Sequence, residues 1–214
     1  MRYIGFCGAA KSGKTTLRDA VLLEMTKQCY ETKGTHYNGD TASFAEPLKW
    51  FCVNLLGLSY PQVYGDDKNT YTKYTWEQIP NNPLPDLNYY SLPERIECLS
   101  KRDSTMTARE VMQWWGTDVF RAMDEDFWVN KLKYDRNMGY DGDCYIDDVR
   151  FPNEASMCDT LIQVMDNEGE TPSLHESEQQ YKLLNPHLII NTRHIGLEQA
   201  AKQVCEFLHE RFAK

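Results

Sequence analysis

Arg2-Tyr3-Ile4-Gly5-Phe6-Cys7 is followed directly by Gly8-Ala9-Ala10-Lys11-Ser12-Gly13-Lys14-Thr15-Thr16. The first run reads as a strand, and the second has the spacing G-x-x-x-x-G-K-[ST]. Leu17-Arg18-Asp19-Ala20-Val21 then starts a helical pattern, so strand, loop and helix come in the order a phosphate cradle needs. Glycines let the backbone fold tightly enough for successive N–H groups to point inward at a polyphosphate. The positive end of the helix favours an anion there. Gly8, Lys11, Ser12, Gly13, Lys14, Thr15 and Thr16 are therefore the candidate nucleotide-binding residues. Lys14 would supply a point charge near the β- and γ-phosphates, and the Thr15 hydroxyl would sit on Mg²⁺.

The chain has 214 residues, enough for one large α/β domain or one domain with insertions. At 41% hydrophobic and 26% charged it has the composition of a globular protein. A formal charge of −9 argues against a nucleic-acid partner, which needs a net basic surface. No apolar run approaches a bilayer span and the N-terminus lacks a signal-peptide core, so no membrane partner is expected. The 7 cysteines are scattered, with no C-x-x-C pair. That spacing fits neither a zinc site nor a disulfide framework, and it points to reduced thiols in a cytoplasm.

Leu17, Ala20, Val21 and Met25 recur at helical spacing to about Cys29. Thr41-Ala42-Ser43-Phe44 reads as a second strand, with Pro47 in the first turn of a helix through Leu56. Residues 57–93 are rich in Tyr, Asn, Pro and Asp without periodicity and read as a functional insertion. Thr107-Ala108-Arg109-Glu110 is a capping box. The helix it opens puts Val111, Met112, Trp115, Val119 and Met123 on one face. Arg109, Gln113, Thr117 and Arg121 step by four along a drifting stripe on the other. A helix is expected over 126–136, and strands at Cys144–Val149, Leu161–Met165 and Leu188–Ile190. The last helix would bury Leu197, Ala200, Ala201, Val204 and Leu208. Strands alternating with helices imply a mainly parallel sheet covered on both faces.

A metal carboxylate is expected at the end of the strand beside the first. Asp147 and Asp148 point in opposite directions there, so one of the two would face the phosphates. Arg150 follows, placed to clamp phosphates or to pair with Glu154. The Arg109-Gln113-Thr117-Arg121 stripe is either a solvated face or a grip on a monophosphate and a base edge. Lys49 is open in the same way, between phosphate and water.

Together, Gly8–Thr15, Ser43-Phe44-Ala45-Glu46-Pro47-Leu48-Lys49, the Thr107–Arg121 helix, Asp148-Val149-Arg150-Phe151-Pro152-Asn153-Glu154-Ala155 and His175-Glu176-Ser177-Glu178 resemble the bacteriophage deoxynucleoside monophosphate kinases. The resemblance runs with gaps from residue 1 to about 192, and the order of the blocks carries it. It implies an adenylate-kinase-like P-loop fold in one kinase domain. The core would be 1–44, 106–165 and 187–214, with a monophosphate-binding insertion at about 45–105 and a lid at about 166–186. It implies transfer of the γ-phosphoryl of ATP to a deoxynucleoside 5′-monophosphate, with Mg²⁺, in the cytoplasm of the host cell. By position, Lys14 and Thr15 would serve ATP and Mg²⁺, and Asp148 would help to hold the metal. Lys14, Arg150 and Asp148 would form the catalytic set. Lys49, Arg109, Gln113 and Arg121 would bind the acceptor, with Arg150 and Glu154 where the phosphates meet.

Residues 166–186 carry a single basic residue, Lys182. Lid arginines would therefore come from Arg150 and Arg193, or the lid acts by covering. A kinase of another phosphorylated small molecule, such as phosphomevalonate, would share this core chemistry. A slow ATPase or switch protein would have no use for a second anion site. The sequence leaves the accepted bases open, and a homodimer is as compatible with it as a monomer.

Overall fold

The computed structural model describes residues 1–76, 105–139, 141–165 and 180–213. Its contacts divide the chain into two compact units, residues 1–46 with 123–214, and residues 47–122. Residues 105–122 thus group with the insertion segment, whereas the sequence reading places 106 onward in the core.

The first unit is built on β1 (Tyr3–Cys7), β2 (Gly39–Ala42), β5 (Asp143–Ile146), β6 (Thr160–Met165) and β7 (Leu188–Asn191). They form one sheet in the order β2-β5-β1-β6-β7. Every neighbouring pair is parallel. The protein is therefore α/β with helices flanking a parallel sheet, as the alternation of elements implies. The register pairs Tyr3 with Cys144 and Gly5 with Ile146. On the far side of β1, Gly5 pairs with Leu161 and Cys7 with Gln163.

Two long helices cover one face, α1 (Lys14–Lys33) and the C-terminal helix (Leu197–Phe212). Leu17, Val21 and Met25 of the first meet Ala200, Ala201, Val204 and Leu208 of the second, over Ile4, Phe6, Tyr145, Ile162, Val164 and Ile190 of the sheet. These are helical positions expected from the sequence, but Leu197, also expected to be buried, is 39% exposed at the first residue of its helix. Gly5 turns to the opposite face, where an added Cβ would lie 2.6 Å from Cys158 Sγ and 2.9 Å from Val149 Cγ2. A side chain there would overpack the second layer.

Two strand boundaries differ from expectation. β2 ends at Ala42, and just beyond it the Phe44 and Ala45 N–H groups donate to the Asp148 carboxylate instead of continuing a ladder, joined there by the Ser43 hydroxyl. β5 ends at Ile146, although Val149 N still donates to Phe6 O at 3.2 Å. The helix expected over 126–136 forms as Phe127–Arg136. Its last residue, Arg136, reaches back to Asp40 (2.6 Å) and the Thr41 carbonyl (2.7 Å) of β2. Of the expected lid, residues 166–179 lie outside the described residues, His175-Glu176-Ser177-Glu178 among them. Gln180–Leu183 is a 3-10 turn with Tyr181 buried.

The second unit has its own apolar cluster of Cys52, Leu56, Leu58, Val63, Met106, Ala108 and Val111. It contains α2 (Glu46–Asn54) from Pro47 onward, α3 (Tyr60–Val63), the antiparallel pair β3 (Tyr71–Thr75) and β4 (Thr105–Thr107), and α4 (Ala108–Gln113). Residues 77–104 of the insertion lie outside the described residues. Among the described residues no helix is long and apolar enough to cross a membrane.

At the N-terminal end of β5, Asp143 accepts from Arg2 and from the Tyr37 hydroxyl (2.6 Å), which also bonds the Tyr145 hydroxyl. Burial alone would raise the Asp143 carboxyl, but the Arg2 and Tyr37 hydrogen bonds outweigh it and hold the pKa below its usual value. A depressed carboxyl contributes stability that is present above the unfolded pKa and lost as pH falls through the folded one. Asp143→Asn should thus cost about 1–3 kcal/mol in urea unfolding at pH 7. That difference from the native chain should shrink below about pH 4. An equal gap at pH 7 and pH 3 would refute the assignment.

Candidate functional site

The turn after β1 is fixed by backbone conformation. Gly8 has φ +140°, Gly13 φ +85°, and Lys11 sits in the left-handed region at φ +62°. A Cβ on Gly8 would lie 2.3 Å from the Val164 carbonyl, so the strand end and β6 approach too closely for any other residue. Lys14 Nζ folds over the turn and donates to the carbonyls of Gly8 (3.0 Å) and Ala9. Gly13 caps α1 without a side chain, and the first turn holds no acidic residue. The positive end of this helix is therefore not compensated by its own sequence. Inside the turn, the buried Ser12 hydroxyl has no hydrogen-bond partner. An orphaned buried hydroxyl is costly, and an acceptor oxygen in the turn would satisfy it. The turn fits a phosphate group on these grounds. Burial pushes the thiol of Cys7, just before it, up to about 11, which disfavours the thiolate.

The carboxylate that meets this turn is Asp147. Its Oδ2 accepts from Thr15 Oγ1 at 2.6 Å and lies 2.8 Å from Arg18 Nη1. Since Gly5 pairs with Ile146, Asp147 falls level with the end of β1, where the turn begins. Asp148 points the other way, as the alternation requires. Its Oδ2 accepts from Ser43 Oγ (2.6 Å) and Ala45 N (2.8 Å), and its Oδ1 from Phe44 N (2.9 Å). Of the two carboxylates left open by the sequence, Asp147 is therefore the one that the structure brings beside Thr15. Both its oxygens are used to hold the Ser43–Ala45 turn, and the carboxylate beside Thr15 is its neighbour. Thr15 gives its one proton to Asp147, which leaves the hydroxyl lone pairs for a cation. Thr15 and Asp147 are oxygen donors of the kind Mg²⁺ takes. Among the described residues no three His, Cys, Asp or Glu side chains cluster to hold a metal by themselves.

Arg150 follows the same strand end. Its backbone N–H, and that of Phe151, donate to Oε2 of the buried Glu154 at 2.8 and 3.1 Å. Glu154 therefore braces the bend that carries Arg150 into the Pro152–Met157 helix. Asn153 anchors the same bend to the Glu125 carbonyl (2.8 Å) and Asp126 (2.9 Å).

The expected acceptor residues Lys49, Arg109, Gln113 and Arg121 all belong to the second unit. Thr107 caps α4 through Glu110 as expected. Arg109 Nε donates to Asn69 Oδ1 (3.1 Å), and Lys49 Nζ sits 5.3 Å from the centre of the Tyr64 ring. The helix does not continue as a regular α-helix. Trp114–Arg121 is a π-helix, wound around an aromatic cluster in which Phe51 lies 4.9 Å from Trp115 and 5.4 Å from Phe120. Gly116 is needed there, because a Cβ would come within 2.8 Å of Leu48 Cδ2. A π-helix turns about 80° per residue against about 100° in an α-helix. Steps of four, which drift forward on an α-helix, drift back on a π-helix. Arg109, Gln113, Thr117 and Arg121 consequently stay on a narrower stripe than the sequence alone implies. Met123, expected on the buried face, is 74% exposed.

Arg18 escaped the sequence reading although a signal was present. It lies three residues after Thr15 on α1, so the two share a helix face.

The two adjacent carboxylates separate in experiment. Asp148→Ala removes three hydrogen bonds to a charged acceptor and should cost about 2–4 kcal/mol, visible as a lower Tm. Asp147→Asn should leave Tm within a few degrees and weaken Mg²⁺-dependent nucleotide binding. The reverse pattern would assign the metal to Asp148 instead.

No model of a known protein family matches this sequence, and neither does any curated protein.

Proposed function

We propose that the protein is a Mg²⁺- and ATP-dependent kinase of deoxynucleoside 5′-monophosphates, yielding ADP and the diphosphate. The observation that carries the reading is the Thr15–Asp147 hydrogen bond beside a glycine turn with an orphaned Ser12 hydroxyl. A phosphate-binding turn, a lysine and a carboxylate-supported threonine are the working parts of a nucleoside triphosphate site. Acceptor identity rests on the resemblance in sequence and on the cationic stripe of Arg109, Gln113 and Arg121.

Phosphoryl transfer asks the protein mainly for alignment and positive charge. The backbone N–H groups of residues 8–15 would hold the β-phosphate. Lys14 would exchange its bonds with the Gly8 and Ala9 carbonyls for phosphate oxygens. Arg150, on a bend stiffened by Glu154, would neutralise charge on the transferred group. Thr15 would hold Mg²⁺, with Asp147 orienting the Thr15 hydroxyl, and the bound ion would supply charge neutralisation to the phosphates. Lys49, Arg109, Gln113 and Arg121 would grip the acceptor. No side-chain nucleophile is needed, because an acceptor phosphate oxygen attacks in line.

A coupled assay of ADP release with each deoxynucleoside monophosphate tests the reading. At least one should raise the rate well above the rate with water alone, and no stimulation by any of them would refute it. Lys14→Ala should cut kcat by about 10²–10³ with the fold intact. Arg109→Ala and Arg121→Ala should each raise the monophosphate KM by about tenfold or more and leave that for ATP within about twofold. Unchanged acceptor kinetics in both would return that stripe to a solvated face.

A further inference from the structure

We infer that Arg18 is a positioning residue for Mg²⁺: it holds the Asp147 carboxylate against Thr15. This rests on the reading of the glycine turn as a nucleotide site. The geometry is specific. Arg18 Nη1 meets Asp147 Oδ2 at 2.8 Å, the same oxygen that accepts from Thr15 Oγ1 at 2.6 Å. The rest of the guanidinium is fixed from behind, with Nε and Nη2 donating to Asp19 Oδ1 at 2.9 and 2.8 Å. Arg18 and Asp147 side chains are only 13% and 12% exposed, whereas Asp19 is 59% exposed.

A largely buried carboxylate free to rotate would turn its charge toward any cation and draw Thr15 out of position. Locked on Oδ2 by a planar donor, it keeps one orientation, and the Thr15 proton has one place to go. The lone pairs of Thr15 are then aimed before any cation arrives. Partners behind a metal ligand typically set affinity by about 10–100-fold. A lysine would keep the charge but lose the fork that joins Asp19 to Asp147.

Calorimetric titration of ADP with and without Mg²⁺ tests this without any turnover. In the native chain Mg²⁺ should tighten ADP binding. Arg18→Ala should lose about tenfold or more of that gain, with Mg²⁺-free ADP affinity within about twofold of native and Arg18→Lys recovering part of the loss. Lys202→Ala, which removes a surface ion pair with Glu198 on the C-terminal helix, should change neither. The inference is overturned if Arg18→Ala keeps the full Mg²⁺ gain. It is equally overturned if Mg²⁺-free affinity drops by the same factor, or if native ADP binding ignores Mg²⁺. Should Arg18→Ala fail to melt cooperatively, Arg18→Lys and Asp19→Asn decide, and a native Mg²⁺ gain in both overturns it. Mg²⁺-sensitive ADP binding without phosphorylation of any monophosphate would refute the kinase reading alone.

Discussion

The parallel pairing of β1 with β5 is the constraint on which the rest depends. It sets Gly5 opposite Ile146, and it needs a residue without a side chain at Gly5, because Cys158, Val149 and Leu161 crowd that face. Once the two strands lie in this register, the glycine turn and Asp147 leave the sheet at the same level. Everything chemical in the first unit follows from that coincidence of strand ends. The Thr15 hydroxyl, on the first turn of α1, can reach a carboxylate 132 residues further along the chain because the sheet has already brought them together.

The pleat then divides the work of two adjacent acids. Asp147 faces the turn and Asp148 the segment after β2, so one carboxylate takes the Thr15 hydroxyl at the glycine turn and the next holds the chain beyond β2. Asp147 is matched locally by Arg18, and Lys14 is folded onto loop carbonyls. Such matching keeps cationic groups in place in a chain whose overall charge is −9. At the other end of β5, Arg2, Tyr37 and Asp143 perform the same matching for stability.

Much of this was legible in the sequence because it is local. The strand, turn and helix of residues 3–33, the capping box at Thr107 and the buried positions Leu17, Val21, Ala200, Val204 and Leu208 all follow from spacing within a few residues. What was not legible depends on partners far along the chain. The segment just beyond β2 is held by Asp148, about a hundred positions away, and the choice between Asp147 and Asp148 depends on where β5 stops. The widened turns of Trp114–Arg121 have no local signature, since every residue in them also suits an α-helix except Gly116. They form where Phe51, Trp115 and Phe120 must interlock.

One feature of the topology reaches past chemistry. β2 and β5 are neighbours in the sheet, and a crossover between such strands can be made with a dozen or so residues. Here the connection from Ala42 to Asp143 carries a second core with its own buried cluster. That cluster shares no residue with the one in which α1 and the C-terminal helix pack. The long connection thus adds an apolar core of its own instead of only lengthening a crossover.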